Sequence, residues 1–188
     1  MIFYTADIHF GDERIFKIYS RPFSDLLEYE RAICKSWNDK VAKGDIVYVL
    51  GDLAQENFAE VTSILKTLNG HKHLIVGNHD ETVLEPLKRA AVFESMEFIK
   101  LIDDAGRKVC VCHYPLMDWI EFNRGSYHVY GHVHNKTIRQ GVVYRQIKEY
   151  FKDKLAYNAG VDVVGYAPVT LDEMIKIKEQ HIHDPYIY

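Results

Sequence analysis

The stretch Leu74-Ile75-Val76-Gly77-Asn78-His79-Asp80 decides the fold, because an apolar run stops at a glycine and continues into three polar residues. The β-branched residues Ile75 and Val76 favour a strand, and Gly77 lets the backbone turn or approach a ligand closely. Asn78 offers an amide oxygen, His79 an imidazole, and Asp80 a carboxylate able to orient that imidazole. Taken alone, such a corner is more often a polar loop than an active site. We predict a buried strand whose C-terminal end leads into a turn that carries potential metal ligands and catalytic groups.

Four other stretches share this form, since each is a short apolar strand whose C-terminal end delivers Asp or His. In an α/β or layered β fold, strand ends gather at one edge, where sites are usually built. The sequence therefore predicts that five strand ends converge on one cluster. The four stretches are residues 2–6 before Asp7 and His9, 46–50 before Asp52, 108–112 before His113, and 127–130 before His132 and His134.

The predicted cluster combines imidazoles, carboxylates and one amide oxygen. These exceed what one tetrahedral ion needs, but they suit two neighbouring ions that share a carboxylate. The pairs at 7 and 9 and at 132 and 134 lie two residues apart, so each pair points to one face of an extended backbone. We predict a dinuclear centre of Mn, Fe, Zn or Co, of which we favour Mn. Its predicted ligands are Asp7, His9, Asp52, Asn78, His113, His132 and His134.

This ordered set of motifs, spanning residues 7–134, resembles the calcineurin-like metallophosphoesterase superfamily. The resemblance implies an α/β fold, a four-layer α/β/β/α sandwich, in a single domain over residues 1–188. Phe10-Gly11 and Arg21-Pro22-Phe23 are similar to a small bacterial and phage subgroup, although Asp12 stands where relatives carry His. The resemblance implies a first ion held by Asp7, His9, Asp52 and His134, and a second by Asp52, Asn78, His113 and His132, with Asp52 bridging.

The same resemblance implies a metal-dependent phosphoester hydrolase in which a metal-activated hydroxide attacks phosphorus. His79 is then the phosphate-contacting group and leaving-group acid, and Asp80 orients it. A compact chain favours accessible phosphodiesters, of nucleotide or cyclic nucleotide type, and the alternatives are a phosphomonoesterase or a nucleotide pyrophosphatase. No arginine follows Asp52 within residues 53–56, which argues against a protein Ser/Thr phosphatase. A catalytically silent metal-binding scaffold and a hydrolase of non-phosphate bonds are the rival classes.

Two loops beside the predicted cluster supply candidate substrate contacts. Arginine forks match phosphate oxygens, and aromatic rings stack on nucleobases. The alternatives are that the arginines are solvated and that the aromatic segment is a hydrophobic lid packed on the domain. The candidates are Arg14, Tyr19 and Arg21 in the first loop, and Tyr114, Trp119 and Arg124 in the second.

Length and composition limit the possible classes. The 188 residues carry a net charge of -4 with interspersed signs, so we expect no extended nucleic-acid surface. The family resemblance implies a small phosphoester substrate. The sequence has no apolar run of membrane-spanning length and no signal-peptide pattern, which predicts a cytoplasmic protein. Three cysteines argue against a disulfide framework, and Cys110 and Cys112 are expected in the core. Nothing in the sequence indicates the oligomeric state.

Periodicity predicts the remaining elements. Helices are expected over residues 24–41 and 56–69, and a further one from a capping box at Thr170 and Glu173 to residue 179. Residues 103–106 read as a hairpin turn, 157–161 as a strand, and 143–155 as a helix or a strand. We expect His71, His73 and His128 to be solvated or packed.

Overall fold

Two four-stranded sheets form the centre of the computed structural model, which describes residues 1–54, 58–134 and 141–181. In the first sheet all neighbouring strands are parallel, and in the second only the pair Ile99–Asp104 and Arg107–Cys112 is antiparallel. The strands of the first sheet are β1 (Ile2–Thr5), β2 (Ile46–Val49), β3 (His71–Ile75) and β4 (Ser95–Glu97). Those of the second are β5 (Ile99–Asp104), β6 (Arg107–Cys112), β7 (Tyr127–Tyr130) and β8 (Ala156–Asn158).

Seven α-helices and two 3-10 helices lie in the described ranges. None of the helices there combines the length and apolar composition needed to cross a membrane. The α-helices are α1 (Glu13–Ile18), α2 (Leu26–Lys40), α3 (Phe58–Thr67), α4 (Leu84–Ala90), α5 (Gly141–Phe151), α6 (Val161–Val164) and α7 (Leu171–His181). The 3-10 helices are Glu81–Val83 and Phe122–Arg124.

Three buried apolar clusters separate the layers. Because side chains alternate along a strand, Phe3 and Val47 face one core with α2 and α3, whereas Tyr4 and Tyr48 face another. That second core lies between the two sheets, and Val109 of β6 meets it from the other side. A third core joins the outer face of the second sheet to α5. The order helix, sheet, sheet, helix confirms the four-layer α/β/β/α prediction.

Local sequence signals explain most element boundaries. Asp25 caps α2 by accepting from the Glu28 amide at 2.7 Å, one residue after the predicted start. The capping box before α7 is confirmed, because Thr170 and Glu173 each accept from the other's backbone amide. Such caps stabilise a helix by about 1 kcal/mol. The predicted second helix is α3, and residues 56 and 57 of that prediction lie outside the described ranges.

The hairpin and the C-terminal segments test the other sequence predictions. Ala105 and Gly106 both have positive φ, which matches a two-residue turn between β5 and β6 as predicted. Residues 141–151 are helical, which decides between the two alternatives for that segment. The strand predicted over residues 157–161 is wrong at its end. It stops at Asn158, because the short helix α6 begins at Val161 with Gly160 as its N-cap.

The cysteines and three further histidines are placed as predicted. Cys110 and Cys112 are buried and free, and burial raises the pKa of the Cys110 thiol to about 11. His71 is exposed beside Glu94, and the ring of His73 stacks on Tyr48. His128 is buried in the outer core of the second sheet. Each of these three imidazoles is therefore solvated or packed, and each lies away from the strand ends that carry the predicted ligands.

Candidate metal centre

The structure brings the predicted ligands together at the C-terminal ends of β1, β2, β3, β6 and β7. They form two groups, within each of which one potential ligand atom per residue lies within 4.8 Å of the others. The first ligand group is Asp7, His9 and His134, all buried. The second ligand group is Asp52, His113 and His132.

The Asp52 carboxylate lies between the two groups. Its Oδ2 is 3.6 Å from His9 Nε2, whereas its Oδ1 is 3.5 Å from His113 Nε2. Asn78 joins the second ligand group, because its Oδ1 lies 3.0 Å from His113 Nε2 and 2.9 Å from His132 Nδ1. Each oxygen of one carboxylate therefore faces a different set of imidazoles.

The ring nitrogens are arranged for metal binding. The Nδ1–H of His113 donates to the Leu50 carbonyl at 2.8 Å, which leaves Nε2 with a free lone pair directed at the cluster. His134 is fixed in the same way, since its Nδ1 contacts the Asp162 carboxylate at 2.7 Å. Both ring nitrogens of His9 are buried without a hydrogen-bond partner. Buried polar atoms are rarely left unsatisfied, so the residues present fit a bound cation.

Burial sets the protonation of the cluster. It lowers the pKa of His9 well below the ordinary histidine value, and together with His113 it lowers the pKa of His132 to about 4. Both imidazoles are therefore neutral near pH 7, as ligation requires. Burial raises the pKa of the Asp7 carboxyl, although neighbouring imidazoles oppose this. A cation would stabilise the charged form of that carboxylate.

The backbone is strained where the ligands stand. Four of the predicted ligands have positive φ: Asp7 at 58°, His9 at 55°, Asp52 at 51° and His132 at 71°. Such a conformation costs roughly 1–2 kcal/mol for a residue with a Cβ, and it is typical of functional sites. Compensating contacts hold these corners, since the Asp7 carboxylate accepts from the His132 amide at 2.9 Å.

Asp80 was predicted to orient His79, but its carboxylate instead binds the backbone of the loops that carry Asp52 and Gly77. Its carboxylate accepts from the backbone amides of Gly77 at 2.8 Å, Asp52 at 3.0 Å and Leu53 at 2.8 Å. Burial raises the pKa of the Asp80 carboxyl to about 6. The prediction was wrong because the strand-end corner leaves these amides buried, and they take the acceptor. A Cβ on Gly77 would come within 2.5 Å of the Asp52 amide nitrogen, which explains the glycine.

His79 stands at the open side of the cluster. Its imidazole is 33% exposed, its Nε2 lies 4.0 Å from Asp52 Oδ2, and its ring meets His9 edge-on at 5.2 Å between centroids. Its backbone amide donates to Asp52 Oδ1 at 2.9 Å. The imidazole is thus close to both ligand groups and reachable from solvent.

Comparison with known proteins agrees with this geometry. The profile described as calcineurin-like phosphoesterase matches residues 1–177. The chain belongs to the calcineurin-like phosphoesterase family. It is 30% identical over 181 residues to an uncharacterized protein of Methanocaldococcus jannaschii, covering 95% of this chain and 92% of that one.

Two further relatives have similar length. The Gene 66 protein of Mycobacterium phage L5 is 26% identical over 210 residues, covering 96% of this chain and 95% of its own. The crystal structure of a protein of unknown function from Aquifex aeolicus matches with a TM-score of 0.73 at 26% identity, covering 94% of this chain and 98% of that one. Family membership and the two ligand groups support a metal-dependent phosphoester hydrolase.

Two predicted substrate contacts of this phosphoesterase are wrong because the side chains are buried. The Arg21 side chain is 0% exposed and binds the Asp162 carboxylate and two backbone carbonyls. Trp119 is buried, donates its Nε1–H to Ser126 and stacks on His128. It therefore belongs to the packed lid that was the alternative prediction.

The remaining candidates are at least partly exposed. Tyr114 is 43% exposed and its ring meets His113 and His132 edge-on, so it borders the second ligand group. The ring of Tyr19 stacks on His134 with 3.7 Å between centroids. Arg14 is exposed and pairs with Asp12, and Arg124 is exposed and pairs with Glu121. Substrate contact by these residues stays a prediction.

Sequence reasoning missed Asp162, which contacts both His134 and Arg21. A signal was present, because Ala156–Asn158 is a short strand followed within four residues by a carboxylate. This is the same form that identified the other strand ends.

Proposed function

We propose that this calcineurin-like phosphoesterase is a dinuclear-metal-dependent phosphodiesterase acting on small phosphodiesters of nucleotide type. The observation that carries the proposal is the position of Asp52, whose two oxygens lie 3.6 Å and 3.5 Å from imidazoles of different ligand groups. A carboxylate so placed can bridge two ions. When bound, such ions neutralise phosphate charge and make a hydroxide available near neutral pH.

The chain's own residues have distinct roles in this reaction. The two ligand groups hold the ions, with Asn78 contributing a neutral oxygen. His79 donates an N–H to the leaving-group oxygen, since it is the partly exposed imidazole 4.0 Å from the shared carboxylate. Asp80 holds the backbone of the loops that carry Asp52 and Gly77. Its contribution is therefore to keep the site in shape.

The exposed residues around the second ligand group favour a diester. Asn78 is exposed, His132 is half-buried, and Tyr114 borders them with an exposed ring. A substrate with a group on each side of phosphorus needs such an open approach, whereas an enclosed pocket suits a terminal phosphate. Mn²⁺ is our proposed ion, taken from Mn, Fe, Zn and Co, all of which suit the mixed nitrogen, carboxylate and amide set.

The test uses metal-stripped protein resupplied with Mn²⁺. Turnover of bis-p-nitrophenyl phosphate is compared with that of p-nitrophenyl phosphate and of a nucleoside pyrophosphate, while bound metal is counted by elemental analysis. Mn²⁺-dependent activity that prefers the diester is expected. A preference for the monoester or the pyrophosphate would replace the proposal with the corresponding activity. Two bound ions with no turnover of any substrate would indicate a binding scaffold.

A further inference from the structure

A buried ion pair lies directly behind the first ligand group. Asp162 is held in α6, whose first amide, that of Val161, donates to the Ala6 carbonyl at 3.0 Å. The Asp162 side chain is 5% exposed, and its Oδ2 contacts His134 Nδ1 at 2.7 Å. Its Oδ1 accepts from Arg21 Nε at 3.0 Å. One carboxylate therefore connects a predicted ligand to a buried guanidinium.

Arg21 extends this connection to the other two members of the group. Its Nη1 donates to the Ile8 carbonyl at 2.7 Å and its Nη2 to the Asp7 carbonyl at 2.7 Å. The planar guanidinium thus holds the segment whose left-handed corners at residues 7 and 9 direct two ligands inward. The ring of Tyr29 covers the guanidinium at 4.6 Å, and the Tyr29 hydroxyl also donates to the Ile8 carbonyl.

The second ligand group rests on other supports. Its His113 is oriented by the backbone carbonyl of Leu50, and its Asp52 is positioned by the Asp80 carboxylate. These supports are a neutral carbonyl and a carboxylate that accepts from amides. Among the described contacts of the two groups, an Arg–Asp ion pair supports the first ligand group and none supports the second.

We propose that Arg21 and Asp162 are positioning residues that set metal affinity in the first ligand group and leave the second unaffected. Asp162 keeps the His134 proton on Nδ1. It thereby makes Nε2 a stronger electron-pair donor to a metal ion, as a carboxylate hydrogen-bonded to a ligating histidine does. Arg21 neutralises that buried carboxylate and fixes the backbone of Asp7 and Ile8. The inference rests on the proposed dinuclear centre and deepens it.

The test is a titration of metal-free Asp162→Asn with Co²⁺, followed by visible absorption and by the number of ions bound. We expect one ion to bind about 10- to 100-fold more weakly and the other to bind as in the wild type. The change in the visible Co²⁺ spectrum of Asp162→Asn should match the change in His134→Ala, which lacks a first-group ligand. It should not match the change in Asn78→Ala, which lacks a second-group ligand.

Asp104→Asn is the matched control. Asp104 is another buried carboxylate, which accepts from the Tyr4 hydroxyl at 3.0 Å between the sheets. This variant should bind two ions as the wild type does. If Asp162→Asn fails to fold, the double variant Arg21→Gln with Asp162→Asn removes both buried charges together, and the same selective loss is expected.

The outcomes separate this inference from the proposed function. Unchanged binding of both ions by Asp162→Asn, or equal weakening of both, would overturn the positioning role while the wild type still holds two ions. A wild type that holds one ion would contradict the dinuclear centre. The positioning role then survives only if Asp162→Asn weakens that single ion as much as His134→Ala does.

Discussion

His9 in the metal centre and His128 in the outer core of the second sheet are both 0% exposed, yet their rings are treated in opposite ways. His128 has a partner at each ring nitrogen, because Nδ1 contacts the Cys110 carbonyl at 3.1 Å and Nε2 accepts from the Leu116 amide at 3.1 Å. Neither ring nitrogen of His9 has a hydrogen-bond partner. A buried imidazole whose nitrogens both have hydrogen-bond partners is part of the packing, whereas a buried imidazole that lacks such partners and lies beside carboxylates is typical of a metal ligand.

The largest effect is expected from Asp52→Asn, which removes the charge facing His9. The variant should bind at most one ion and its turnover should fall to background, because the two oxygens face different ligand groups. Elemental analysis and the diester assay measure this. Asp104→Asn, which changes a buried carboxylate remote from the cluster, should keep both ions. Two ions bound by Asp52→Asn with wild-type affinity would remove its bridging role.

The next effect concerns a histidine at the cluster compared with one at the far end of β3. His79→Ala should keep both ions and lose about 100- to 10,000-fold in turnover, since it removes the leaving-group acid. The loss should be greater for an alkyl leaving group than for p-nitrophenolate, which leaves without protonation. His71→Ala, on an exposed ring, should change neither quantity. An equal loss for both leaving groups would show that His79 does not act as the acid.

Metal removal tests whether His9 is a metal ligand. At a free Mn²⁺ concentration of about 100 times Kd, each independent site adds about 2.7 kcal/mol to the free energy of unfolding, and two sites together add about twice that. His9→Asn should lose about half of this metal-dependent gain, whereas His128→Gln should retain it. Urea unfolding with Mn²⁺ and with chelator measures the gain. A full gain in His9→Asn would make its orphan nitrogens irrelevant to binding.

The last comparison concerns the pH dependence carried by His128. Burial lowers the pKa of His128 to about 4, below the value of about 6.5 in the unfolded chain. The unfolded state therefore binds the proton first, so the stability from this group is present above pH 6.5 and is lost as the pH falls towards 4. The loss is at most about 3 kcal/mol. Urea unfolding of metal-free protein should show a shallower fall for His128→Gln. An identical fall would assign the dependence to other groups.

The seven ligand candidates were found from sequence because the chemistry is local to each strand end. A β-branched run that stops at a polar residue predicts both the strand and the position of its side chain, and parallel strands then bring their C-terminal ends to one edge. The predicted starts of α2 and α7 agree with the structure within about two residues, because a capping side chain such as Asp25 or Thr170 acts on amides of its own segment.

The wrong predictions concern groups whose partners are distant along the chain. Arg21 suggests a phosphate contact until Asp162 is placed 3.0 Å from its Nε, 141 positions later. Asp80 suggests an orienting partner for His79 until the amides of Asp52 and Leu53 are seen to need an acceptor. Trp119 suggests a base-stacking ring until Phe151 of α5, 32 positions later, is placed against it in the outer core of the second sheet.

By itself, the sequence of this phosphoesterase determined its family, most of its strands and helices, and the residue types available at the metal centre. Those properties depend on side-chain periodicity and on residues a few positions apart. Only the tertiary structure decided which nitrogen of each histidine faces the cluster, which arginine is buried behind it, and how Asp52 divides its oxygens between two ligand groups. These properties depend on hydrogen bonds and burial between segments more than 20 residues apart, such as Arg21 and Asp162, for which no local pattern exists.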